Sequence, residues 1–176
     1  MADTVSVIIP AYNAAAHVKR AVDSVLAQTH APLEIIIVDD GSKDRTAEVV
    51  AAMPPPVRLI RKENGGPATA RNTGAAAAKG DWLALLDADD WWFPDKLRLQ
   101  LECATGPDVG LVHCLPDHRN DVVPPQLTFQ HMWDRNWIIN SSVLIRRAAF
   151  EALGGFNEAR ELISVEDYNL WVRVAA

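Results

Sequence analysis

Short, near-continuous apolar runs recur along the first half of this chain, each followed by a helical pattern. Val5-Ser-Val-Ile-Ile-Pro10 and Leu33-Glu-Ile-Ile-Ile-Val38 are too short for ordinary helices and too uniformly apolar for strands with one face in water. Val57-Arg-Leu-Ile60 and Trp82 to Leu86 repeat the signal. Between the first two runs, Asn13 is expected to cap a helix carrying Val18, Val22, Val25 and Leu26 on one face. Ser42 is expected to cap the next helix, with Asp44 in its first turn and Pro54-Pro55-Pro56 as its stop. Asn64-Gly-Gly66 reads as a turn, and Pro67 as the first position of a helix through Ala78, stopped at Gly80. Strand and helix thus alternate four times, which predicts an α/β fold: a mostly parallel, Rossmann-like sheet sandwiched by helices.

In open sheets of this kind ligands bind beyond the carboxyl ends of the strands. Tyr12-Asn13, Asp39-Asp40 and Asp87 to Asp90 all fall at such ends, so three polar clusters are expected to meet at one edge. The last of these is the most charged. Asp87, Asp89 and Asp90 crowd together where an apolar strand emerges, and carboxylates so close repel one another. A hard cation, Mg²⁺ or Mn²⁺, would relieve that repulsion and take further oxygens from water and substrate phosphates. A solvated acidic turn is the plain alternative.

The second half is less regular. Pro94 is expected to start a helix through Leu97 and Leu101, and Val109 to Cys114 reads as a strand. Pro116 to Arg135 reads as a long loop or small subdomain, Ser142 to Ile145 as a strand, and Arg147 to Leu153 as a helix ended by Gly154-Gly155. Trp91 and Trp92 fit either a core or the wall of a site. Cys103 and Cys114, with His113 and His118, match no zinc spacing and are expected to be buried, reduced thiols. At 176 residues and 49% hydrophobic content the chain suits one domain. A net charge of −6 argues against a nucleic-acid groove and makes an anionic ligand harder to hold without a cation. Neither a signal peptide nor a membrane span is visible, so a cytoplasmic, soluble domain is expected.

Several motifs in order resemble one family. They are Val5-Ser-Val-Ile-Ile-Pro-Ala-Tyr-Asn13, Ile37-Val-Asp-Asp-Gly-Ser42 with Asp44 and Thr46, Asn64-Gly-Gly66 with Ala70-Arg-Asn-Thr-Gly74, Asp87-Ala-Asp-Asp90, Pro94-Asp-Lys-Leu97, and Glu166-Asp167 with Leu170-Trp171. Together they cover nearly the whole chain and are similar to family 2 of the inverting glycosyltransferases, which have the GT-A fold. The resemblance implies transfer of a sugar from a nucleotide diphosphate donor, a UDP-sugar in the first instance or a GDP-sugar, to an acceptor hydroxyl. It implies a nucleotide-sugar site at Pro10, Ala11, Tyr12, Asn13, Asp39, Asp40, Arg71, Asp87 and Ala88. Tyr12 would lie against the base and Asp40, with Asp39, would accept its imino N–H. Arg71 would supply positive charge near the nucleotide; a surface pair with Glu63 is the plain alternative. Asp89 would hold Mn²⁺ or Mg²⁺, Asp90 would share that metal or cap the next segment, and Asp167 would be the general base, supported by Glu166.

The same resemblance divides residues 1–176 into a nucleotide-sugar half, 1–90, and an acceptor-side half, 91–176. Acceptors in the family include saccharides, lipid-linked saccharides and proteins, in keeping with polysaccharide and cell-envelope biosynthesis at the cytoplasmic face of a membrane. Relatives commonly continue past the point where this sequence stops, some with a membrane-associating segment. A truncated chain, a compact enzyme and a domain that needs a partner all fit that comparison. Two other functions stay open on sequence: a non-catalytic sugar-nucleotide-binding domain, and a nucleotidyltransferase. The second fits less well, because Ala11-Tyr-Asn-Ala-Ala15 carries no basic residue to hold a triphosphate.

Overall fold

The computed structural model of the chain describes residues 3–106, 108–116 and 123–176. Its centre is a six-stranded sheet in the order β3-β2-β1-β4-β6-β5. The strands are β1 (Val5–Ala11), β2 (Glu34–Asp39), β3 (Val57–Arg61), β4 (Trp82–Leu85), β5 (Leu111–Val112) and β6 (Leu144–Arg146). The first four pair in parallel, β1 lying between β2 and β4. Only β6 runs the other way, antiparallel to β4 and β5. The expected α/β architecture with a mostly parallel sheet is therefore the one observed.

Successive strand residues point to opposite faces, and here both faces are covered. Val5, Val7 and Ile9 of β1, with Ile35 and Ile37 of β2, pack against Val18, Val22 and Val25 of α1 (Val18–Leu26) and Leu97 of α4 (Lys96–Cys103). Ile8, Leu83 and Leu85 face the other way, against Ala68 and Ala75 of α3 (Pro67–Ala77) and Leu170 and Trp171 of α7 (Glu166–Val174). This two-sided burial is why the runs read as apolar throughout. Each fully buried Val or Ile contributes roughly 1.5–3 kcal/mol relative to an exposed one.

Several sequence expectations are corrected at the loops. Asn13 does not cap α1, which starts at Val18 after a turn on the Ala14 carbonyl. Instead Asn13 adopts a left-handed backbone, its N–H donates to Ser42 Oγ at 2.9 Å, and its Oδ1 accepts the Lys43 N–H at 2.9 Å. Ser42 is thereby occupied, and the N–H of Thr46, which opens α2 (Thr46–Ala51), is accepted by Asp44 Oδ1. These side chains bind the β1–α1 loop to the β2–α2 loop rather than capping their own helices. Leu26 is exposed, not part of the apolar face.

Within the Pro116–Arg135 stretch, residues 117–122, and His118 with them, lie outside the described residues. The remainder of that stretch is not all loop: Thr128 and His131 form a capping box on α5 (Phe129–Asp134). The strand expected over Val109 to Cys114 shortens to β5, and Ser142 lies in a 3-10 turn (Asn140–Ser142) that delays β6 to Leu144. Cys103 is exposed and Cys114 half-buried, contrary to the expectation that both are buried. The two tryptophans divide: Trp92 is buried and donates its indole N–H to the Ser141 carbonyl at 2.7 Å, whereas Trp91 is 41% exposed. After β6 comes the short α6 (Arg147–Ala152). Among the described residues no helix is long and apolar enough to cross a membrane.

The close seat of α3 on the sheet depends on Gly74, where a Cβ would come within 2.5 Å of Ile8 Cγ2 and 3.3 Å of Val38 Cγ2. Ile8 and Val38 are fully buried and have no room to retreat. Gly74→Ala is therefore expected to destabilise the fold by about 1–3 kcal/mol through overpacking. Urea unfolding measures this; an unchanged midpoint would show that α3 can lift without cost.

Candidate active site

Chain connections leave β1 toward β2 and β3 on one side and reach β4 on the other, so the strand order reverses between β1 and β4. Such a reversal opens a crevice at the carboxyl ends of the strands. Here the crevice is a cavity of about 360 Å³. Pro10, Ala11, Tyr12 and Asn13 reach it from β1 and its loop, Asp40 from the end of β2, Arg71 from α3, and Asp87, Ala88 and Asp89 from the end of β4. Each of these positions is one that the sequence motifs single out. Asp39 and Asp167, which the motifs also single out, do not line this cavity.

Asp39 is wholly buried beneath it, where its carboxylate accepts the Ser42 N–H at 2.9 Å and Arg61 Nε–H at 3.0 Å. Asp40 is more heavily bonded. It accepts from Lys62 Nζ at 2.7 Å, the N–H of Gly66 at 2.8 Å, the N–H of Gly65 at 3.0 Å and Asn64 Nδ2 at 3.2 Å. A carboxylate offers about four acceptor positions, so Asp40 is the anchor of the Asn64–Gly66 loop. That loop crowds Gly41, which has a φ of 76° and where a Cβ would meet the Asn64 N at 2.8 Å. Lys62, the ion-pair partner of Asp40, is missed by the sequence motifs; its place just after β3, one strand from Asp40, is the available signal.

The three carboxylates of the acidic turn are separated by different partners. Asp87 Oδ1 accepts from Arg71 Nη2 at 2.7 Å. Asp90 accepts from Ser141 Oγ at 2.6 Å, and the same hydroxyl accepts the Asp87 N–H at 3.0 Å. Asp89 is exposed at the cavity edge and has no hydrogen bond or ion pair among the described residues. The repulsion inferred from sequence is thus partly resolved by the chain itself. Among the described residues no cluster of three His, Cys, Asp or Glu side chains stands ready to hold a metal ion. One unengaged carboxylate beside a second still suits Mg²⁺ or Mn²⁺, which commonly take one or two protein carboxylates and fill their shell with water and phosphate.

Arg71 is buried and does not pair with Glu63. Its Nη1 donates to Glu166 Oε1 at 2.8 Å, and Asn140, with its amide oxygen turned toward the guanidinium, accepts from Nε at 2.8 Å. Burial works against the charge on Arg71, but Asp87 and Glu166 outweigh it and hold the guanidinium firmly protonated. Glu166 also accepts the Ser164 N–H at 2.7 Å. The next residue, Asp167, sits half-buried in the first turn of α7, where negative charge is favoured. Its carboxylate accepts the Tyr168 N–H at 2.6 Å. Burial raises the Asp167 pKa above the usual carboxylate value, and the nearby charges of Glu166 and Asp87 add to the rise against Arg71. Asn140 and Ser141 give no sequence signal, because only the return of β6 beside β4 brings their turn to the acidic residues.

A family model described as glycosyl transferase family 2 matches residues 6–158. The chain belongs to that family. It is 34% identical over 185 residues to an uncharacterized glycosyltransferase of Rickettsia typhi, covering 96% of this chain and 58% of that protein. A second, from Rickettsia felis, is 33% identical over 189 residues, covering 97% of this chain and 31% of its relative. The chain therefore spans about a third to three-fifths of the length of these relatives. The succinoglycan biosynthesis protein ExoO of Rhizobium meliloti is 48% identical over 102 residues, 57% of this chain and 29% of that one. Among solved structures, the mannosyltransferase PcManGT from Pyrobaculum calidifontis, in complex with GDP-Man and Mn²⁺, matches with a TM-score of 0.82 and 26% identity, over 99% of this chain and 52% of that chain. S. aureus TarS residues 1–349, in complex with UDP, share the fold with a TM-score of 0.77 at 22% identity, over 98% of this chain and 55% of that one.

Removing Arg71 would leave Glu166 buried without its counter-charge and free Asp87 to repel its neighbours. Arg71→Met is expected to cost about 3–5 kcal/mol of stability, the usual penalty for breaking a buried pair from one side. Chemical denaturation tests this; a loss below about 1 kcal/mol, a surface-pair value, would show that the cluster is not a joint of the fold.

Proposed function

We propose that the chain is the donor-binding and catalytic domain of a metal-dependent, inverting glycosyltransferase acting on a nucleotide diphosphate sugar. The observation that carries this reading is the convergence of Tyr12, Asp40, Arg71, Asp87 and Asp89 on one cavity at the strand-order reversal. Support also comes from the mannosyltransferase neighbour, whose structure holds GDP-Man and Mn²⁺. Residues 1–90 supply most of the donor pocket and residues 91–176 the base and the acceptor side. A polysaccharide acceptor of the cell envelope is in keeping with the succinoglycan biosynthesis protein among the relatives.

In this reading Tyr12 lies against the base, with Pro10, Ala11 and Asn13 shaping the pocket around it. Asp40 sets its hydrogen-bonding edge, while Asp39, wholly buried, acts only by holding the Ser42 N–H and Arg61. Asp40 is already bonded to Lys62 and the Asn64–Gly66 loop, so a base N–H shares one of its oxygens or displaces Lys62. Asp87, fixed by Arg71, faces the donor together with Ala88. Asp89, with Asp87 beside it, would hold Mn²⁺ or Mg²⁺, and the cation would supply Lewis-acid stabilisation of the charge on the departing diphosphate. Asp167 takes the proton of the acceptor hydroxyl as that oxygen attacks the anomeric carbon opposite the leaving diphosphate. A single displacement of this kind inverts the anomeric centre. A carboxylate with a raised pKa suits the task, being a stronger base than an ordinary aspartate.

Two substitutions separate these roles. Asp167→Asn is expected to keep donor binding and lower transfer by about 10²–10⁴-fold. Near-normal transfer by that variant would remove Asp167 from the mechanism, and donor binding without transfer in the unaltered protein would favour a non-catalytic domain. Asp89→Asn is expected to weaken donor binding in Mn²⁺ and to leave any residual binding in EDTA unchanged; equal weakening in both would deny Asp89 the metal. Because only ionised Asp167 can accept a proton, transfer should fall as pH drops through its raised pKa. The acid limb of the rate profile should therefore lie above the ordinary aspartate value of 3.8. An acid limb at or below 3.8 would contradict the assignment.

A further inference from the structure

The cavity between the ends of β1 and β4 carries more negative charge than its basic side chains answer. Two basic side chains line it, Arg71 and His17. Every nitrogen of Arg71 is engaged: Nη1 with Glu166, Nη2 with Asp87 and Nε with Asn140. One guanidinium between two carboxylates leaves that cluster with a net negative charge. Lys62 is held by Asp40, and Asp89 has no hydrogen bond or ion pair among the described residues. A divalent cation answers Asp89, but a diphosphate then brings further negative charge to a cavity whose arginine is committed.

His17 is the basic side chain left over. It stands at the cap position of α1, where Ser, Thr, Asp or Asn would bond the helix end, yet it makes no side-chain cap hydrogen bond. The residue is exposed, and its ring has no hydrogen bond or ion pair among the described residues. Capping and packing therefore give no reason for a histidine here. Its backbone, by contrast, is fixed. The His17 N–H donates to the Ala14 carbonyl at 2.9 Å, and the His17 carbonyl accepts the Arg20 N–H at 2.9 Å. The N–H of Ala14 donates to Thr46 Oγ1 at 2.8 Å, and that of Ala15 to Asp44 Oδ2 at 3.1 Å. A clamped loop thus presents an unengaged imidazole to the cavity that Asp89 also lines.

We propose that His17 contacts the donor directly, its imidazole giving a hydrogen bond to the diphosphate of the nucleotide sugar, a role for which Arg71 has no unengaged nitrogen. The inference rests on the reading of this cavity as the donor site. Either tautomer of an imidazole has one N–H to give, and protonation adds a second with a positive charge, so phosphate oxygens are well-matched acceptors. Cleavage of the glycosyl–phosphate bond leaves its electron pair on the diphosphate oxygen. A donor aimed at the diphosphate therefore binds the leaving group more strongly as its charge develops.

Calorimetric titrations in saturating Mn²⁺ compare the unaltered protein with His17→Ala and His17→Gln. The ligands are UDP and GDP, then the monophosphate and the nucleoside of whichever base binds. His17→Ala should weaken diphosphate binding by about tenfold, the order of one charge-assisted hydrogen bond, and leave nucleoside binding within about twofold of the unaltered protein. His17→Gln, which keeps an N–H donor, should recover part of the loss. Urea midpoints should not move, because the side chain is exposed. Diphosphate binding that is indifferent to His17→Ala would overturn the assignment and leave the donor site standing. Equal loss for diphosphate and nucleoside would overturn it by placing His17 in the base pocket. Recovery of diphosphate affinity at higher Mn²⁺ would overturn it by placing the ring on the cation. Binding of neither nucleotide by the unaltered protein would count against the donor site itself, and the assignment would fall with it.

Discussion

Arg71 sits where four parts of the fold meet. Its guanidinium leaves α3, bonds the first carboxylate of the acidic turn after β4, bonds Glu166 at the start of α7, and is bracketed by Asn140 before β6. Glu166 lies 95 residues away in sequence. Only a folded sheet can bring these groups together, and once together they hold one another. The pairing is weak as a source of net stability, because desolvating three charges costs nearly what their attraction returns. Its force lies in geometry: no arrangement of α7 that moves Glu166 leaves Arg71 satisfied.

That constraint explains how the site is divided. Asp87 and Glu166 are committed to Arg71, and Asp90 accepts from Ser141. Asp89 and Asp167 are left, one exposed at the mouth of the cavity and one half-buried on α7. Asp89 has no hydrogen bond or ion pair among the described residues and Asp167 accepts only the N–H of the next residue, and they are the two proposed for cation binding and proton transfer. Like charges that could not share one site are thus sorted by the hydrogen-bond donors nearest each into carboxylates committed to the fold and carboxylates left open for the proposed roles.

Much of this is legible in the sequence. The parallel strands declare themselves through unbroken Val and Ile runs, since residues buried on both faces leave no polar alternation to find. The polar clusters at strand ends are legible for the same reason: the chain turns hydrophilic where it leaves the sheet. Interactions between segments distant in sequence are not. Asn13 and Ser42 look like helix caps locally, yet they bond each other's loops about thirty residues apart, and that outcompetes capping. Arg71 looks like a surface residue on an alanine-rich helix until the partners from α7 and the Asn140–Ser142 turn arrive. Lys62 and Lys96 look alike on paper. One is paired and one is not, and only the packing of β3 and α4 shows which.

The central claim is that the cavity between the ends of β1 and β4 binds a nucleoside diphosphate through a divalent cation. Calorimetric titration of the unaltered protein with UDP and with GDP, each in Mn²⁺ and again in EDTA, tests it most directly. Binding of one nucleotide in Mn²⁺ that is lost in EDTA is the predicted result, and it names the base of the donor. Failure of both nucleotides to bind a folded protein in Mn²⁺ would contradict the account and return the acidic turn to a purely structural role.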